Sequence, residues 1–69
     1  MKVKVLCSVD GNNKVKNAVG TILETHRRTL VEFDKDIGGH DGYGRGRYGY
    51  CWLVSPEQYT SLSRGWKKF

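Results

Sequence analysis

Half of the twelve residues from Gly38 to Gly49 are glycine, in the run GGHDGYGRGRYG. Backbone without a Cβ takes positive φ as readily as negative, and at this density neither a helix nor a strand holds together. The segment therefore reads as a long loop, and it ends abruptly at Tyr50-Cys51-Trp52-Leu53-Val54, an apolar run with the character of a buried strand. A chain of 69 residues has one small core and little stability to spare. Whatever it folds into must carry this loop on a compact scaffold, and loops of such length tend to be functional.

The scaffold reads as all-β. From Lys2 to Val9 the pattern alternates strictly, with Val3, Val5, Cys7 and Val9 on one face and Lys2, Lys4, Leu6 and Ser8 on the other. Asp10-Gly11-Asn12-Asn13 is a concentrated turn signal, followed by a polar connection over Lys14 to Asn17. Val19 to Thr25 reads as a second strand with a bulge or bend at Gly20. A tight connection at His26-Arg27-Arg28 leads into a third strand, Thr29 to Phe33. The fourth is Tyr50 to Val54. Ser55 to Tyr59 reads as one helical turn, Ser55 as its cap and Pro56 at its first position, and Thr60 to Leu62 as a fifth strand. No stretch of ten residues has the period of an amphipathic helix. Five short strands, one long loop and one helical turn describe a small barrel over residues 1–62. Trp52, Phe33, Val31, Ile22, Val5 and Leu62 are its expected core, and residues 63–69 form a basic tail carrying Trp66 and Phe69.

Charge and cysteine usage narrow the function. Twelve basic against seven acidic residues leave a net charge of +5, which favours anionic partners. No apolar run approaches the length that spans a bilayer, and Lys2 and Lys4 interrupt any signal-peptide core, so the expected setting is cytoplasmic and without membrane contact. Cys7 and Cys51 fall in apolar stretches and read as two buried free thiols. With His26 and His40 they lack the close pairs of a zinc site, and no metal or organic cofactor is expected. His40 beside Asp41 invites a catalytic reading, but adjacent residues in a glycine-rich loop supply no rigid acid–base geometry. His40 is expected instead to anchor the loop by hydrogen bonds.

The order of Val19-Gly20-Thr21-Ile22, Leu30-Val31-Glu32-Phe33, Cys51-Trp52-Leu53-Val54 and Ser55-Pro56-Glu57-Gln58-Tyr59 resembles the SH3-like barrels, in particular the KOW-like and Mind-bomb-repeat-like versions. The likeness runs from about Lys2 to Leu62. The GGHDG run with Cys51-Trp52 also resembles short uncharacterised proteins of bacteriophages. The resemblance implies a five-stranded SH3-like barrel, a fold that binds peptides, histone tails, nucleic acids and polymerases. A lone Trp52 and the lack of an acidic first loop set this chain apart from proline-binding SH3 domains.

Binding is therefore the expected activity, without catalysis. Tyr43, Arg45, Arg47 and Tyr48 interleave rings that stack on bases with cations that pair with phosphates. Arg27 and Arg28 at the hairpin tip add charge, and Lys14 and Lys16 would share a face of an extended segment. The first expectation is a monomer that binds DNA or RNA through these residues. The alternative is a small phage-encoded factor that docks on an acidic protein surface and modulates a host enzyme.

Overall fold

The computed structural model describes residues 1–62. The expectations for Arg64, Trp66, Lys67, Lys68 and Phe69 lie outside the described residues. Five strands, β1 (Lys2–Val5), β2 (Val19–Thr25), β3 (Thr29–Phe33), β4 (Cys51–Val54) and β5 (Tyr59–Ser61), form one open antiparallel sheet in the order β4-β3-β2-β1-β5. Two single 3-10 turns, Asn13–Val15 and Pro56–Gln58, are the only helical elements among the described residues.

The expected first strand, Lys2 to Val9, stops at Val5. Its neighbour explains why. Val5 bonds to Ala18 and Asn17, and at Asn17 (φ +63°) the opposing chain turns away, so nothing remains to pair with beyond Val5 on that side. Val9 stays buried but pairs with Asn12 instead, across Asp10-Gly11, where both central φ values are positive as in a type I′ turn. The 3-10 turn that follows begins at Asn12, whose side chain accepts from the Lys14 amide (2.9 Å), and it buries Val15.

Gly20 is not the site of the bulge. It stays in register with both Val3 and Phe33, and the shift falls between Ile22 and Glu24, leaving Leu23 as the extra residue. What Gly20 provides is room: a Cβ there would lie 2.6 Å from Val31 Cγ1 and 2.7 Å from the Glu32 carbonyl oxygen.

In a flat sheet β3 and β5, three spacings apart, would be separated by roughly 14 Å. Here Thr29 Oγ1 and Tyr59 Oη share a hydrogen bond of 2.9 Å, so the sheet curls tightly around its buried face. On that face Val3, Val5, Val9, Val15, Ala18, Val31, Phe33, Ile37 and Val54 form one cluster. Trp52, Ile22 and Tyr59 pack at its margin. Leu62, expected in the core, is 37% exposed just beyond β5, whereas Ile37, inside the long loop, is buried. β5 begins one residue earlier than expected, at Tyr59, and β4 one later, at Cys51.

Ile37 ties the glycine-rich loop down. From it the chain runs back along β4: the amides of Ile37 and Gly39 both donate to the Gly49 carbonyl (3.0 Å each), and His40 bridges Cys51 in antiparallel fashion. The glycines serve a packed series of turns rather than a free coil.

Candidate functional site

A groove of about 580 Å³ opens where the β2–β3 hairpin, β4 and the glycine-rich loop meet. The hairpin tip supplies Glu24, His26, Arg27 and Arg28, closed by a hydrogen bond from His26 N to Arg28 O (3.0 Å). Leu30 and Leu53, directly opposite each other in the β3–β4 ladder, give the groove apolar walls. Tyr43 lines it from the loop and is 73% exposed.

Tyr43 is held there in an uncommon backbone conformation. Its φ is +61°, a left-handed conformation that costs a non-glycine residue about 1 kcal/mol. Neighbouring side chains support it: the Tyr43 amide donates to Asp41 Oδ1 (3.1 Å) and the Gly42 amide to His40 Nδ1 (2.9 Å). His40 thus anchors the loop, with its ring centroid 5.7 Å from that of Tyr43 and 5.8 Å from that of Trp52.

The acids in and beside the groove are all engaged. Glu24 contacts His26 Nε2 and is paired with Arg45 Nη1 (2.7 Å), which fastens the loop to β2. Arg28 Nη2 is paired with Asp10 (2.6 Å) and also donates to the Leu53 carbonyl (3.1 Å). Arg27 is exposed and makes no ion pair among the described residues. It is the uncommitted cation of the groove.

The eight residues singled out in the sequence therefore separate. Arg27, Arg28 and Tyr43 line the groove, and Arg45 adjoins it through Glu24. Arg47 lies over the Tyr50 ring (4.4 Å) while its amide donates to Glu32, and Tyr48 is 80% exposed and lines neither groove described here. Lys14 lines a second groove and Lys16 lines neither. The shared face expected of an extended segment needs a strand there, whereas Lys14 lies within the 3-10 turn and Lys16 is its extended C-cap. His26 belongs to the 26–28 tip expected to contact the ligand, but sequence reasoning missed Glu24, Leu30 and Leu53. Glu24 lies two residues before the tip, near the end of the second strand, but only the register reveals the leucines.

Both cysteines are free, Cys51 buried and Cys7 half-buried rather than buried. Burial, with the Glu32 and Asp41 carboxylates adding to it, pushes the Cys51 thiol above its usual range. Iodoacetamide at mildly alkaline pH is expected to alkylate Cys7 in the native protein and Cys51 only after unfolding, as peptide mass mapping would read. Equal labelling of both would mean that the loop does not cover Cys51. Among the described residues no His, Cys, Asp and Glu side chains group as a metal site, and no helix is long and apolar enough to cross a membrane. The chain matches no protein-family model, no curated protein and no solved structure.

Proposed function

We propose that this chain is a non-catalytic nucleic-acid-binding module on an SH3-like barrel, holding its ligand in the groove between the 26–28 tip and Tyr43. The strand order β4-β3-β2-β1-β5, the tight curl and the 3-10 turn between β4 and β5 support the barrel reading. One juxtaposition carries the functional reading: a well-exposed aromatic ring and an unpaired arginine face the same groove from different elements. A ring offers a stacking face to a base, and a guanidinium pairs with a phosphate. The net charge of +5 steers polyanions to the molecule.

The test is an NMR titration of labelled protein with short single- and double-stranded DNA and RNA, at low and moderate salt. Shifts are expected at His26, Arg27, Arg28, Tyr43 and Leu53. For about two phosphates contacted on a single strand, a fourfold rise in salt weakens binding by roughly sevenfold. A spectrum unchanged by all four ligands at low salt overturns the reading. The apolar walls at Leu30 and Leu53 would then favour docking of a protein, whose packed interface loses little to salt.

A further inference from the structure

The second groove, of about 520 Å³, is lined by the Asp10–Lys14 segment, Ile37, Gly38 and Trp52. In chemistry it resembles the first. Trp52, half-buried, contributes a ring locked in place by a hydrogen bond from Nε1 to the Val9 carbonyl (3.2 Å). Lys14, exposed, contributes a cation that makes no ion pair among the described residues. Its one acid, Asp10, is already held by Arg28, a residue of the first groove.

Two features join the grooves. The Arg28–Asp10 pair takes one residue from each. The rings form a row, Tyr43 in the first groove, His40 between and Trp52 in the second, with successive centroids 5.7 and 5.8 Å apart. Each groove thus has one ring and one uncommitted cation, and the acid on the boundary is neutralised. Repeated stacking faces beside repeated phosphate contacts suit a strand whose bases are unpaired, since the faces of paired bases are occupied by their neighbours.

We propose that the two grooves are successive subsites of one track for single-stranded nucleic acid, the second using Trp52 and Lys14. This rests on the nucleic-acid reading above and extends it to strand class and site length.

The experiment titrates thymidine oligonucleotides from a dinucleotide to an octanucleotide into the wild type and Lys14→Glu, followed by NMR shifts and tryptophan fluorescence. Lys14 is exposed, so its replacement leaves the fold intact. The octanucleotide is expected to bind at least about tenfold tighter than the dinucleotide, since each stacked base adds roughly 1–3 kcal/mol. It is also expected to shift the Trp52 indole signal. Lys14→Glu is expected to weaken the octanucleotide severalfold more than the dinucleotide. Equal affinity at both lengths, with shifts confined to the first groove, overturns the track while the nucleic-acid reading stands. No binding of thymidine oligonucleotides at any length in low salt overturns the track, and the nucleic-acid reading falls with it only where duplex DNA and RNA leave the spectrum unchanged as well. A duplex of equal length binding as tightly overturns the strand class.

Discussion

Gly39→Ala is expected to destabilise the domain by about 3 kcal/mol or more, read as a shift of the urea midpoint. A domain of this size has only roughly 3–10 kcal/mol in total, so the variant stands near the edge of folding. A Cβ at Gly39 would lie 2.1 Å from the Cys51 carbonyl oxygen and 2.6 Å from Ile37 Cδ1. The first neighbour is backbone of β4 and cannot turn aside as a side chain would. The same oxygen accepts from the His40 amide (3.0 Å), so moving the loop away breaks the His40–Cys51 bridge and draws Ile37 out of the core. Gly38 is the control. It needs its glycine for conformation (φ +69°), but a Cβ there meets nothing within 4 Å, and alanine is expected to cost only about 1–2 kcal/mol. Equal, small losses at both positions would show that the loop does not pack on β4.

That contrast marks what a linear reading of the chain can reach. Twelve residues half made of glycine announce irregular backbone, and from composition alone they read as a flexible coil. Whether a glycine supplies freedom or room depends on what lies opposite, and Cys51 opposite Gly39 is a tertiary fact. Gly20 repeats the lesson inside a strand, where the expected bulge proved to be a close approach of β3 and the bulge fell at Leu23. β2 and β3 were legible because their β-branched runs are bounded by turn residues. The first strand was overextended because alternation persists to Val9 after the neighbouring chain has turned away. Periodicity records which side chains are buried, and Val9 is buried, but not which backbone they pair with.

The candidate site was legible in part for the same reason. The 26–28 tip follows from the hairpin, and Arg27 and Arg28 lie there at one end of the groove. That Arg28 is committed to Asp10 and the Leu53 carbonyl, while Arg27 is not, requires the fold. Lys14 and Lys16 look equivalent in the sequence, but Lys14 falls within the 3-10 turn and lines the second groove, while Lys16 is the extended residue that ends the turn and lines neither groove. Cations that appear alike in sequence differ in what the fold has already spent them on.

Tyr43 and Tyr48 sharpen the point into the second large effect. Both are aromatic residues of the same glycine-rich segment, both are exposed, and composition offers no reason to prefer either. Only Tyr43 lines the groove with Arg27, and only Tyr43 belongs to the ring row that continues to Trp52. Tyr43→Ala is expected to weaken single-stranded oligonucleotide binding by roughly tenfold to a hundredfold, the value of one stacked base. Tyr48→Ala is expected to change it by less than about twofold. Tyr43→Phe should restore most of the affinity, because stacking needs the ring and not the hydroxyl. Fluorescence anisotropy on the three variants, with circular dichroism matched to the wild type, decides it. Equal losses from Tyr43→Ala and Tyr48→Ala would mean that the loop binds by composition, as a pliable arginine- and tyrosine-bearing segment. A loss confined to Tyr43→Ala would mean that the left-handed turn at Tyr43, held by His40 and Asp41, presents one chosen ring to the ligand.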